Sequence, residues 1–332
     1  MVIRLLSRPG RTGRTVAAAT VLLMTAALGA GLGAVTTAAQ AGAPPAPVTW
    51  TVLVGSQTDD MAIQGQRFLP GDITIDAGDT VTWQANGMEI HTVTFLDGGT
   101  PQASLPPLDP TDPQQVTRQG GDTMDGTSYF NSGVLTTGPD AGPLPVPAYA
   151  SYSLTFPGQG TFTYYCLVHG VMMRGVVHVQ PAGAPYPATQ ADIDAEAQWQ
   201  TNAINNDGYA LWDQVRAASS RHRVFMGADD GVAMLMRFVH RKVVIHLGQK
   251  VHFLNTMSVG APHTVTFGEE PQGPAIFQPS GDPTDYEGGD LHSGFMVPGS
   301  KFTVTFNKVG RFHYICALHD DMGMKGLVVV RP

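Results

Sequence analysis

Near its end the chain reads Phe312-His-Tyr-Ile-Cys316-Ala-Leu-His319-Asp-Asp-Met-Gly-Met324-Lys-Gly326, preceded at a distance by His263-Thr-Val-Thr-Phe267. The same order occurs once earlier: His91-Thr-Val-Thr-Phe95, then Tyr164-Tyr-Cys166-Leu-Val-His169, with Met172 and Met173 close behind. Each copy therefore offers two imidazoles, one thiol and one thioether. Two His and one Cys with a long, weak axial Met hold a single copper in a geometry between those its two oxidation states prefer, so little has to move when an electron arrives. The thiol must ionise to ligate, which a bound metal enforces. The Cys-x-x-His-x(3 or 4)-Met spacing fits one short loop between two strands. Three donors then come from one turn and the fourth from elsewhere.

The repetition extends beyond these residues. Arg67-Phe68 matches Arg237-Phe238, Ile73 and Ile75 match Val243 and Ile245, Gly78 matches Gly248, and Val81-Thr-Trp83 matches Val251-His-Phe253, all at an offset of 170. Asp109-Pro-Thr-Asp112 recurs as Asp282-Pro-Thr-Asp285, and Asn131-Ser-Gly133 as His292-Ser-Gly294. The two Cys are 150 apart, because the first copy has the longer excursion between its first His and its Cys. That excursion, residues 97–147, is rich in Gly, Pro, Asp and Thr and reads as loop.

Val52 and Val54, Ile73 and Ile75, and Val81 and Trp83 have the period of two of half-buried strands, and short strands between dense turn signals predict sandwiches. Phe162, Tyr164 and Cys166 share one strand face, as do Phe312, Tyr314 and Cys316, so both thiols are expected to point inward. Val176–Val179 and Leu327–Val330 read as closing strands. The division expected is a leader over 1–41, a first domain over 48–180, a linker with helix over 181–221 and a second domain over 222–332. In the linker, Ala191, Ala195, Trp199 and Ala203 recur every four residues, with Asp192, Asp194 and Glu196 at the start. Gly208 is expected to break that helix, with a second short turn around Tyr209–Val215, and the Trp stripe to act as an interdomain brace. Met226, Met234 and Met236 are read as flexible core filling rather than a surface for copper loading.

Composition bounds the class. The chain has 332 residues, 42% hydrophobic and only 14% charged, with 39 Gly and 25 Pro, which suits an exported all-β protein of two domains. Arg4, Arg8, Arg11 and Arg14 precede an uncharged stretch from Val16 to Val35 and the small-residue site Ala39-Gln40-Ala41, the pattern of a cleaved signal peptide. Its removal leaves 15 basic residues against 27 acidic, a net charge of −12 where the whole chain has −8. That balance argues against nucleic acid and favours basic partners. No second apolar span follows, so no stable membrane span is expected after signal removal. Two Cys in an exported chain would ordinarily pair. Here they hold the same position in two copies, each facing its own interior, and a bridge needs Cα atoms within about 7 Å.

The residues Glu89-Ile-His91-Thr-Val, Tyr164-Tyr-Cys166-Leu-Val-His169 and Phe312 to Gly326 resemble the cupredoxins, the blue copper proteins of the plastocyanin and pseudoazurin type. The resemblance covers nearly all of the chain after the leader, as two tandem domains. It implies a Greek-key sandwich of about eight strands per domain, with one type 1 copper at one end of each under the loops. It implies the ligands His91, Cys166, His169 and Met173 in the first domain and His263, Cys316, His319 and Met324 in the second. Met173 is favoured because Arg-Gly follows it as Lys-Gly follows Met324; Met172, at the shorter amicyanin-type spacing, stays open.

Two-domain nitrite reductases and small laccase-like oxidases resemble this architecture but need further His. A His beside the blue-copper Cys binds their catalytic copper, whereas here those neighbours are Tyr165 and Ile315. Nitrite reductases carry another His five residues after the first ligand, where Leu96 and Gly268 stand, and the His-x-His pairs of laccases do not occur. His178, His222, His240, His246, His252, His292 and His313 are read as surface residues. The expected function is single-electron transfer between redox proteins outside the cytoplasm, in the periplasm, at the cell surface or secreted. His169 or His319 would lie nearest the surface to pass the electron. Copper delivery and an enzyme with an unrecognised second copper site are the competing classes, and self-association into a homo-oligomer stays open.

Overall fold

The computed structural model describes residues 46–97, 105, 108–139, 141, 146–258 and 262–332, so the leader read over 1–41 lies outside them. Along Thr49–Gln57 the side chains of Trp50, Val52 and Val54 alternate inward, as a pleated strand with one wet face requires. This strand runs parallel to Thr80–Ala85, placing Trp50 beside Val81 and Val52 beside Trp83, and antiparallel to Ile63–Leu69. The second half of the chain builds the same arrangement from Arg223–Asp229, Lys250–Leu254 and Ala233–Val239.

The two halves are not separate sandwiches sitting side by side, because they share a sheet. Its eight strands run Ser151–Thr155, Thr80–Ala85, Thr49–Gln57, Ile63–Leu69, Ala233–Val239, Arg223–Asp229, Lys250–Leu254, Lys301–Thr305. The first four come from one repeat and the last four from the other, joined where Gly65 faces Ala233, Gln64 faces Met234 and Ile63 faces Leu235. Each repeat thus pairs the strand edge that would otherwise be open to pairing with another chain. Against this common sheet each half packs its own six-stranded sheet. One contains Gly160–Cys166 and Gly170–Gln180, the other Gly310–Ile315 and Lys325–Arg331.

Both sandwich cores are built on a buried Tyr on the Cys strand. Tyr164 lies 4.6 Å from Phe68, 5.1 Å from Trp83 and 5.3 Å from Phe95 between ring centres. Tyr314 repeats this with Phe238 at 4.7 Å, Phe253 at 5.1 Å and Phe267 at 5.3 Å. Gly175 and Gly326, opposite these Tyr on the closing strands, leave room for the phenol: a Cβ at either would sit 2.2–2.3 Å from the ring.

Three expectations are corrected by the packing. The excursion over 97–147 is not all loop, since it contains the short helix Pro113–Val116 and the strands Arg118–Gln119, Phe130–Ser132 and Val134–Leu135. The Asp-Pro-Thr-Asp recurrence is not a structural equivalence. The backbone N–H of Tyr286, just after Asp285, donates to the Thr305 carbonyl, and the matching bond in the first half comes from Met124 to Thr155, after Gly121-Asp-Thr123. Finally, Gly208 does not break the linker helix, which runs unbroken over Gln190–Ala218 from a Thr189/Asp192 capping box. A Cβ on Gly208 would lie 2.3 Å from Ile63, so the glycine is there for close approach to the sheet. The packed face is Ile193, Ala197, Ile204, Gly208 and Leu211, while Trp199 is 69% exposed. Through that face the helix does brace the molecule, covering Ile63 and Leu69 of one half and Ala233 of the other. Full burial of an Ile or Leu side chain is worth about 1.5–3 kcal/mol. No helix among the described residues is long and apolar enough to cross a membrane.

Candidate metal centre

The His-Thr-Val-Thr motif holds its His by a backbone exchange and grips the Cys loop with its Thr. His91 trades two backbone hydrogen bonds with Leu135, and His263 does so with Met296. Thr92 Oγ1 accepts from the Leu167 N–H at 2.8 Å, and Thr264 Oγ1 from the Ala317 N–H at 2.7 Å. The backbone N–H of the same Thr donates to sulfur, Thr92 to Cys166 Sγ at 3.4 Å and Thr264 to Cys316 Sγ at 3.3 Å.

Within this frame His91, Cys166 and His169 converge, as do His263, Cys316 and His319, with the donor atoms of each trio inside 4.8 Å of one another and all six residues buried. Cys166 Sγ lies 3.4 Å from His169 Nδ1 and 3.9 Å from His91 Nδ1. Cys316 Sγ lies 3.4 Å from His319 Nδ1 and 3.7 Å from His263 Nδ1. The two Cys are free. Met173 and Met324 belong to the buried clusters that contain Cys166 and Cys316 respectively, whereas Met172 is 51% exposed.

The chemistry of these trios fits copper. Burial pushes both thiols up to about 11 and holds His169 and His319 down at about 3, so without metal the imidazoles are neutral and ready to donate while the thiols keep their protons. His91 and His263 are also lowered, by burial first and then by the facing His. A thiolate-forming metal is therefore coupled to release of one proton per site.

Several residues around the trios have roles that the sequence alone does not assign. Gly55 and Gly227 have φ of 72° and 74° at bulges in their strands, and a Cβ there would lie 2.4 Å from His91 Nε2 or 2.9 Å from His263 Nε2. They recur in Val54-Gly-Ser56 and Met226-Gly-Ala228, a signal available in the repeat. Arg67 donates to the Met172 carbonyl at 3.1 Å in its own ligand loop and to Gly231 of the other half at 2.6 Å. Arg237 likewise donates to Met322 at 2.6 Å and to the Asp60 carbonyl across the junction. A third group is Glu89, buried with its carboxylate between the rings of His169 and His319. Burial raises it to about 8, opposed by the Ile90 backbone N–H. Nothing in the repeat marks it, since Ala261 stands at the matching place before His263.

In the second half His319 is the ligand nearer the surface, at 8% against 0% for His263, while in the first His169 and His91 are both 1% exposed. His292 is not a surface residue: it is buried, with Nδ1 2.8 Å from Thr266 Oγ1 and Nε2 2.9 Å from the Ile276 carbonyl. Met234 and Met236 are buried with Met257 and Met322, as core filling requires. Met257 also puts its Sδ 2.9 Å from His263 Nε2.

The family model for copper binding proteins of the plastocyanin/azurin family matches residues 223–331. A chloroplastic plastocyanin of Tetradesmus obliquus is 30% identical over 154 residues, 45% of this chain and 94% of that protein. Plastocyanin A'/A'' of Nicotiana tabacum is 32% identical over 109 residues, 32% of this chain and 97% of its own length. Of a chloroplastic plastocyanin of Physcomitrium patens, 30% identical, the chain spans 60%. Among solved structures, a reduced amicyanin variant aligns with a TM-score of 0.24 at 20% identity, covering 40% of this chain and 82% of that one. Auracyanin from Roseiflexus castenholzii aligns with a TM-score of 0.24 at 18% identity, covering 34% and 99%.

Proposed function

Because the chain belongs to the plastocyanin/azurin family of copper-binding proteins, we propose that it passes single electrons between redox proteins outside the cytoplasm, using one type 1 copper site in each half. In this reading His91, Cys166, His169 and Met173 hold the first copper, and His263, Cys316, His319 and Met324 the second. Copper so held supplies a reversible one-electron couple. The chain's own part is to keep the donors still. Thr92 and Thr264 tie each first-His segment to its Cys loop, and the aromatic clusters around Tyr164 and Tyr314 back the strands that lead into the Cys. The observation on which this rests is the twofold convergence of buried Nδ1, Nδ1 and Sγ. The acidic balance of the chain suits basic redox partners.

Copper content and the visible spectrum of the oxidised protein test the reading. Two coppers per chain with an intense thiolate charge-transfer band are expected. A chain that stays colourless when loaded would point to metal delivery instead, and more than two coppers with turnover of oxygen or nitrite would point to an enzyme.

A further inference from the structure

The two ligand loops face each other rather than solvent. His169 turns Nδ1 to Cys166 and presents Nε2 to Glu89 Oε1 at 3.8 Å. His319 turns Nδ1 to Cys316 and presents Nε2 to Glu89 Oε2 at 4.0 Å. One carboxylate thus sits between two rings, one oxygen toward each, and all three side chains are buried or nearly so. His169 Nε2 is fully buried with no hydrogen-bond partner, so this carboxylate is the acceptor set before it. The distances exceed a made hydrogen bond, and burial keeps both imidazoles neutral, so what the structure shows is a placement of the Glu89 carboxyl rather than an ion pair. A carboxylate on the far nitrogen of a ligand His fixes the tautomer that leaves Nδ1 free and orients the ring. Here a single residue from the first half stands in that place for both halves.

We infer that Glu89 is a positioning residue shared by the two sites, and that the path Cys166–His169–Glu89–His319–Cys316 makes them an internally exchanging pair. The inference rests on the copper reading of the preceding section. In the exchange one site is oxidised by one electron and the other reduced by one, no bond is made or broken, and no proton leaves the path. The His169 side chain is wholly covered while that of His319 is 10% exposed, so external partners meet the second half, and the first site is filled and emptied through it.

The test uses the full chain loaded with copper, as wild type, Glu89→Gln and Glu89→Leu. Two coppers per chain and a blue band in the wild type are the gate: their absence sinks the copper reading, not the bridge. Past that gate, the protein is photoreduced to half an equivalent and its relaxation followed at several protein concentrations. The expected wild-type result is a relaxation phase whose rate is independent of concentration. In Glu89→Leu that phase slows by about tenfold or more, measured against bimolecular reduction of the same variant by a small reagent. In the reduced protein, ring ¹⁵N spectra should show the Nε2 signals of His169 and His319 moving together in Glu89→Gln. A wild-type rate that scales with concentration, an internal rate unaltered in Glu89→Leu, or a shift at one ring alone would overturn the inference. Even where a variant fails to load, a wild-type rate that scales with concentration overturns the internal exchange.

Discussion

After His169 the chain turns at Gly170, with φ of 64°, straight into the strand Gly170–Gln180, whose residues alternate between solvent and core from Met172 onward. After His319 it first makes a turn, closed by the Gly323 N–H on the Asp320 carbonyl, and only then enters Lys325–Arg331. The second loop is one residue longer, and yet in both a Met lands in the core two residues before a Gly that faces the buried Tyr: Met173 and Gly175, Met324 and Gly326. Strand parity beneath the loop therefore decides which side chain reaches the Cys face, and loop length is free to vary above it. What the extra residue changes is the surroundings. Met322 is drawn into a buried Met cluster under the second loop, whereas the corresponding side of the first loop leaves Met172 in solvent.

The strongest way to break the comparison is to delete one site at a time. Cys166→Ser and Cys316→Ser should each lower the copper content from two to one per chain and remove one blue band, leaving the other intact. Loss of both bands in either variant would mean that the halves do not hold metal separately. Gly55→Ala and Gly227→Ala come next. The three atoms nearest a Cβ at Gly55 all belong to the His91 ring, so this variant should lose copper from the first site to a chelator. At Gly227 the Cβ also meets the Leu235 carbonyl at 2.6 Å, so stability should fall as well. The positive φ at each costs a non-glycine residue about 1–3 kcal/mol. Urea unfolding of the copper-free proteins should rank Gly227→Ala below Gly55→Ala. The two Arg differ in depth: Arg237 is buried and Arg67 only half-buried. Arg237→Ala, which strands the buried carbonyls of Met236 and Met322, should cost about 2–3 kcal/mol in the same assay, and Arg67→Ala about 1. The reverse order would refute the view that the second loop is the one tied more deeply into the junction.

How much of this was legible before folding follows from where each signal resides. The trios His91/Cys166/His169 and His263/Cys316/His319 were readable because ligation needs fixed residue types at fixed spacing, and the sandwiches because burial on one face imposes a period of two. The helix is visible in the sequence but its packed face is not: Ala191, Ala195 and Trp199 have the helical period, while Ile193, Ala197 and Ile204 have it too and meet the sheet. His292 illustrates a second limit, since a His between Thr266 and the Ile276 carbonyl looks like any other in the sequence. Glu89 marks the third. Its role arises only when two halves dock, and a repeat search discards it because Ala261 occupies the matching position.

The smallest effect sharpens the parity argument most directly. A thioether weakly donating along the axis stabilises the oxidised metal, so replacing it by a hydrocarbon of similar volume should raise the reduction potential without emptying the site. Met324→Leu should do this in the second half. In the first half, parity assigns the effect to Met173, because the buried positions of that strand run Met173, Gly175, Val177, Val179, on the face where Cys166 lies. Met173→Leu should therefore move the potential upward while leaving stability nearly unchanged, and Met172→Leu should move neither. Voltammetry on a Cys316→Ser background isolates the first site for this measurement. A shift on replacing Met172 but not Met173 would mean that the strand slips by one residue when metal binds, so that loop length rather than the sheet beneath selects the fourth donor.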